Sequence, residues 1–374
     1  MRKAVVRDVR EQFSPASAVL SLYGDTDRSR RSPKEIVIAL KNLYREALRL
    51  VETWPREDQE SVRILLERLF PRVEDLSTDL PKGWVFFVSP RSQTFSLPLP
   101  GPVAPSACLG REPQLFPLVQ VLSPFRETLV LLVESRTVAF LRRFGAELEL
   151  IHRRDVDFPS RVKSGGRQGM EERRIERHAE EETGRILRDV AVQARALFKG
   201  GTFRRALVAG PRELALPLTD LLREQLPTEE LDLLPETPER GEAALRALLD
   251  QWAQTRFWQE GEALVDRVVT EAPKGGPAAA GWRAVLAASG RGAVHQLLLE
   301  ERELRRGVRC PACGALGLDE ETCPLCGGGT VEEPDLMEAL IGQVYDKDGE
   351  VLVLGRPSPL REWEGLGALL RFSL

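Results

Sequence analysis

A chain of 374 residues exceeds one ordinary domain and predicts two or three. Hydrophobic residues at 42% allow full cores, and 29% charged residues is ordinary for a soluble protein. A net charge of −4 excludes a chain that coats nucleic acid by bulk charge, so any RNA or DNA contact has to come from local basic clusters.

The chain opens "MRKAVVRDVREQF", without the apolar core of a signal peptide. No apolar run approaches the ~20 residues of a membrane span, so a cytoplasmic protein with no membrane contact is expected. "ASAVLSLYGDT" predicts a strand. "SPKEIVIALKNLYREALRLVE" predicts a helix with a capping box, with Ser32 as N-cap, Pro33 in the first turn and Glu35 as the reciprocal partner. Ile36, Leu40, Leu43, Ala47 and Leu50 then keep helical spacing. A second helix follows around "DQESVRILLERLF". "GWVFFVSPRSQTFSLPLP" predicts a hairpin turning at Ser-Pro-Arg-Ser. These elements make residues 1–124 an α/β unit.

"TLVLLVES", "TVAFLRRFG" and "AELELIHRRDVD" predict a three-stranded meander. A glycine-rich loop comes next, and then a long helix reaching Phe198. Thr183, Ile186, Leu187, Val190, Ala194 and Leu197 form its apolar stripe. "FRRALVAG" is a strand stopped by Gly210-Pro211, "ELALPLTDLLREQL" a helix and "ELDLLP" a short strand. Residues 125–236 therefore predict a mixed sheet with helices. The third unit, residues 237–374, begins with a helix from "TPERGEAALRALLDQW" to near "VVTEAPKGG", with "PKGGPAAAG" as a flexible connection. "GWRAVLAAS" (helix), "GAVHQLLLEE" (strand), "DLMEALIGQVYDKD" (helix) and "EVLVLG" (strand) then alternate, which implies a small α/β/α sandwich.

A cysteine segment interrupts that sandwich at residues 307–329. Cys310, Cys313, Cys323 and Cys326 are spaced C-x2-C-x9-C-x2-C, which places four thiolates around one tetrahedral metal, for which zinc fits best. Four thiolates close the coordination shell and leave no position for an activated water, so the expected Zn2+ is structural. Cys108, apart from the cluster, is expected to be packed or half-buried.

The glycine-rich loop reads "KSGGRQGMEERRIERH", residues 163–178. It matches neither the phosphate-binding loop nor the dinucleotide fingerprint, which excludes a nucleotide cradle. Gly165 and Gly166 allow a close approach that a side chain would block. Gln168 is an uncharged donor and acceptor, suited to orienting a group and not to titrating. Arg161, Lys163, Arg167, Arg173, Arg174 and Arg177 outweigh Glu171, Glu172 and Glu176, a positive tip that suits phosphates. A solvated surface loop is the plain alternative. His152, His178 and His295 are scattered and form no nucleophile–histidine–acid set. "RELRRGVR", ahead of the cysteines, is either an RNA or protein contact or a solvated linker.

A meander, a loop with paired glycines and a glutamine, a long basic helix and a small α/β/α domain with four cysteines together resemble the archaeal and eukaryotic class-1 peptide-chain release factors. The sequence is most similar to their bacterial relatives, the bacterial archaeo-eukaryotic release factors. The resemblance covers residues 125–374. It implies an α/β multidomain chain: an N-terminal α/β domain, a ribonuclease-H-like central domain, and a C-terminal domain like the kink-turn-binding ribosomal proteins with a zinc ribbon inserted. Pelota-type rescue factors share the last two domains but lack the glycine–glutamine loop. By position, Gly165 and Gly166 match the family's glycines and Gln168 its glutamine, the residues that act in peptidyl-tRNA hydrolysis at the peptidyl-transferase centre. Arg167 departs from the motif by standing between the glycines and Gln168. The N-terminal unit also lacks the short motifs that read stop codons. The resemblance thus implies a ribosome A-site-binding release or rescue factor contacting rRNA and peptidyl-tRNA, with a translational GTPase as a candidate partner; the departures point to entry independent of the stop codon, and a slender A-site ligand to a monomer. The other reading is a non-catalytic hibernation factor that occupies the A site.

Overall fold

The computed structural model describes residues 2–14, 18–74, 81–90, 93–145, 147–159, 169–200, 203–226, 230–234 and 242–374. The first helix, α1 (Arg2–Phe13), has no counterpart in the expected elements; Val6, Val9 and Phe13 form its buried stripe. Strand β1 (Val19–Asp25) is buried along its whole length. Helix α2 (Pro33–Leu50) begins at the expected capping box: Glu35 N–H donates to Ser32 Oγ at 3.4 Å, and Ser32 N–H donates to Glu35 Oε2 at 2.8 Å. Helix α3 (Arg56–Glu74), strands β2 (Gly83–Val88), β3 (Thr94–Leu99) and β4 (Ser106–Gly110), and the short helix α4 (Phe116–Leu122) follow. The strands form an antiparallel sheet in the order β3-β2-β1-β4. Leu20, Leu22 and Phe86 face α2 and α3, which bury Ile36, Leu40, Val62 and Leu66 against them. Tyr23 and Phe87 point to the other face, where Phe13 meets Phe87 edge-on at 6.1 Å.

Strands β5 (Thr128–Val133), β6 (Thr137–Phe144) and β7 (Glu147–Asp155) are the expected meander. Helix α5 (Gly169–Gly200), strand β8 (Arg205–Ala209), helix α6 (Arg212–Gln225) and strand β9 (Leu231–Leu234) complete a five-stranded sheet in the order β7-β6-β5-β8-β9. The first three strands are antiparallel; β5, β8 and β9 run parallel. Gly210 ends β8 with φ +147, and a Cβ there would lie 2.3 Å from the Val133 carbonyl oxygen, so only glycine permits the approach. One sheet face packs on α5 and α6; the other, through Val130, Leu141 and Leu207, packs on Leu245 and Leu249 of α7 (Glu242–Glu271).

The chain continues through β10 (Ala278–Ala280), α8 (Trp282–Gly290), β11 (Val294–Leu299), β12 (Gly307–Arg309), β13 (Leu316–Gly317), β14 (Val331–Glu333), α9 (Leu336–Asp346), β15 (Glu350–Val353) and β16 (Leu366–Leu370). The sheet β10-β16-β11-β15 carries α7 on one face, through Phe257, Val265 and Val268. Helices α8 and α9 contact its strands, and Val285, Leu340 and Val344 on these helices are buried. The stretch "PKGGPAAAG", expected to be a flexible connection, is instead a 3-10 turn at Ala272–Lys274 followed by β10, which pairs Ala278 with Leu369. Three alanines carry no β-branched signal; pairing at the sheet edge makes them a strand.

Two compact units result, Phe125–Ala253 and Arg2–Pro124 with Gln254–Leu374. The second unit is tied internally by Glu338, on the first turn of α9. Its carboxylate accepts from Leu115 N–H at 2.8 Å and Phe116 N–H at 3.0 Å, the unsatisfied amides at the start of α4. Arg302 bridges Glu338 at 2.8 Å and Asp335 at 2.7 Å, and Asp335 caps α9.

Burial pushes the Glu338 carboxyl up to about 7 from an ordinary 4.5, against the Leu115 and Phe116 amides and Arg302, which favour the charged form. A carboxyl raised in this way stabilises the fold below its ordinary value, and the contribution is lost as pH rises through 7. Glu338→Gln lacks this titration. Its stability relative to wild type is therefore expected to improve by up to ~3 kcal/mol between about pH 5 and about pH 8, read from urea unfolding midpoints. A pH-independent difference would refute this role for Glu338.

Candidate functional site

The glycine-rich segment joins β7 to α5 within the Phe125–Ala253 unit. After β7, Val156 N–H donates to the Arg136 carbonyl at 2.9 Å, and Phe158 is buried in the core. On the return side α5 begins at Gly169. Arg161, Lys163, Gly165, Gly166, Arg167 and Gln168 lie outside the described residues. Arg173 and Arg174 are on the backbone of α5, with side chains outside the described set, and Arg177 is exposed on the same helix.

Leu187, Val190, Ala191, Ala194 and Phe198 form the buried stripe of α5, with Ile186 and Leu197 packed partly beneath it. Phe198, not Leu197, closes the stripe at its C-terminal end. Its ring stacks on Phe203 at 6.1 Å. The opposite side presents exposed Arg185, Arg188, Arg195 and Lys199. These four belong to no motif. Their signal is a spacing of three or four residues, or multiples of a turn, complementary to the apolar stripe.

The basic segment before the cysteines behaves differently. Arg305 pairs with Glu364 at 2.9 Å and lies over Trp282; Arg306 pairs with Glu332 at 3.4 Å and Arg309 with Glu333 at 2.7 Å. Together with Arg302 on Glu338 and Asp335, every arginine of "RELRRGVR" is ion-paired. His152, His178 and His295 are all exposed and far apart in sequence. Cys108 is half-buried, and burial raises its thiol pKa.

The four clustered cysteines come together as the spacing requires. Their sulfurs lie within 4.8 Å of one another, with Cys310–Cys326 and Cys313–Cys323 both at 3.5 Å. Tetrahedral coordination at a metal–sulfur length of ~2.3 Å needs sulfurs about 3.8 Å apart, so the cluster fits one ion. Two equivalent knuckles hold them. Gly314 N–H donates to the Cys310 carbonyl and Gly327 N–H to the Cys323 carbonyl, at 2.8 and 2.9 Å, and both glycines have φ +74. The small sheet β13-β12-β14 carries the knuckles. Gln343 of α9 holds the first knuckle, donating to the Gly314 carbonyl at 2.7 Å and accepting from Ser289 Oγ at 2.7 Å.

The Cys313 amide lowers Cys310 to about 7, and the Cys326 and Leu325 amides lower Cys323. The Gly328 amide favours the Cys326 thiolate, but the adjacent Cys310 and Cys313 thiols outweigh it and push Cys326 up to about 12. Four thiols this close lose all their protons only when a cation replaces them, which is the chemistry of a closed metal centre. One divalent ion per chain is expected by elemental analysis, and none in Cys310→Ser. Gly327→Ala forces a side chain into the left-handed region at ~1–2 kcal/mol and is expected to lose the ion to a chelator about tenfold more readily.

Residues 113–256, from just before α4 to the middle of α7, match the model of bacterial archaeo-eukaryotic release factor family 10. The protein is therefore bacterial archaeo-eukaryotic release factor-like across that segment, the relationship its motifs imply. Solved structures that resemble it include an archaeal translation termination factor, at 19% identity over 99% of this chain and 98% of that one, with a TM-score of 0.25. Pelota of Archaeoglobus fulgidus shares 17% identity over 78% and 79% of the chains at a TM-score of 0.34. The S. cerevisiae termination-like factor Dom34 shares 12% over 75% and 74% at 0.40. At these scores the family match alone carries the relationship. No curated protein matches the chain.

Proposed function

We propose that this protein is a ribosome-associated release or rescue factor that enters the A site and hydrolyses the peptidyl-tRNA ester independently of the stop codon. The family match over residues 113–256 carries the reading, because that segment contains the whole sheet that mounts the tip loop. Gly165 and Gly166 let the loop approach RNA. Gln168 orients the attacking water or stabilises the developing charge through its amide, a positioning role that needs no titrating group. Arg161, Lys163, Arg167, Arg173, Arg174 and Arg177 contact phosphates at the tip. Exposed Arg185, Arg188, Arg195 and Lys199 extend that basic surface along α5.

The proposed organisation keeps three functional segments, 1–124, 125–236 and 237–374. The order of the five-stranded sheet supports a ribonuclease-H-like central domain. The ion at Cys310, Cys313, Cys323 and Cys326 is Zn2+ in a structural role, since a four-thiolate shell excludes substrate. The protein acts in the cytoplasm as a monomer, with rRNA and peptidyl-tRNA as its contacts and a translational GTPase as delivery partner. No described helix is long and apolar enough to cross a membrane.

Arg167 favours a second reading, a non-catalytic factor that plugs the A site of idle ribosomes. Peptide release from stalled ribosome complexes separates the two. Wild type is expected to release peptide; Gln168→Ala and Gly166→Ala are expected to lose about 100-fold in rate while still co-sedimenting with ribosomes. Co-sedimentation of wild type without any release would leave the plug as the function.

A further inference from the structure

We propose that the groove between α7 and residues 354–359 is a docking site for an arginine-bearing segment of a partner protein. The groove encloses about 490 Å³ and lies within one compact unit. Its floor is apolar: Phe257, Val265 and Leu354 are all buried. Gly261 keeps it open, because a Cβ there would already lie 3.0 Å from a Leu354 methyl. The rim is Trp258, 39% exposed despite its size, facing exposed Pro357 and Pro359.

The chemistry of the occupant is written in what the groove already holds. The Arg356 guanidinium sits 5.0 Å over the Trp258 ring and pairs with Glu262. It acts as an internal stand-in ligand, held by an aromatic face and a carboxylate. Asp266, one turn further along α7, lines the same groove, is exposed, and makes no ion pair among the described residues. Glu262 and Asp266 together exceed the charge of Arg356, so the rim attracts a second cation and repels nucleic-acid phosphate. A guanidinium stacks on an indole better than an ammonium does, and the apolar floor beside it takes the neighbouring aliphatic side chain of the same segment. None of these residues belongs to the tip loop, so the groove stands or falls apart from peptidyl-tRNA hydrolysis.

The probe is a labelled hexapeptide of alternating leucine and arginine, titrated against the full chain by fluorescence anisotropy. Glutamate-for-arginine and lysine-for-arginine peptides and a hexauridine RNA are the comparisons. Saturable binding of the arginine peptide is expected, with lysine weaker and the glutamate peptide and RNA silent. Trp258→Ala is expected to weaken binding about tenfold, while Arg356→Ala tightens it by removing the internal competitor. Asp266→Asn, an exposed isosteric change, is expected to weaken it as well and covers the case in which Trp258→Ala misfolds. The proposal is overturned if the arginine peptide does not bind. It is also overturned if Asp266→Asn and Arg356→Ala shift binding in the same direction, or if the RNA or the glutamate peptide binds more tightly.

Discussion

The candidate tip depends on one packing contact, the apolar stripe of α5 against the sheet β7-β6-β5-β8-β9. A helix of 32 residues with a charged first half gains its stability from tertiary burial more than from propensity. Leu187, Val190 and Phe198 each contribute about 1.5–3 kcal/mol on burial, and they lock the C-terminal half of α5 to the sheet. Phe158 buries the other end of the loop in the same core. Phe158 and the C-terminal half of α5 are thus held by the same hydrophobic cluster.

Electrostatics separates two basic clusters that look alike in the sequence. Arg302, Arg305 and Arg309 are drawn into carboxylates around α9 and the small ribbon, where they hold structure together. The partners of Arg302 and Arg309 are partly buried, so those pairs are screened less than surface pairs are. Arg188, Arg195 and Lys199 instead stand on the exposed side of α5. Among the described residues, the charges on α5 are the ones less drawn into carboxylates.

The cysteine centre and Glu338 use the same helix for different ends. Near its start α9 offers Glu338 to the amides of α4, which fastens the N-terminal sheet to the C-terminal sandwich. Further along, Gln343 holds the first cysteine knuckle. A metal centre built on two short turns needs such an external brace, because three strands of two or three residues bury almost nothing of their own.

Local signals in the sequence determined the elements that rest on local physics. The capping box of α2, the meander β5–β7, the stripe of α5 and the C-x-x-C pairs were all legible, because periodicity, turn chemistry and ligand spacing act within a few residues. Helix α1, the alanine strand β10 and strand β16 were not legible; their identity comes from partners distant in the chain. The same holds for the ion pairs that neutralise "RELRRGVR" and for the position of Arg356 over Trp258. Cys310 and Cys326 announce themselves by spacing, whereas Glu338 gives no sign in sequence that it will meet Leu115 and Phe116. Residue order sets propensity and pattern, but long-range pairing decides which charges are satisfied and which remain for a ligand.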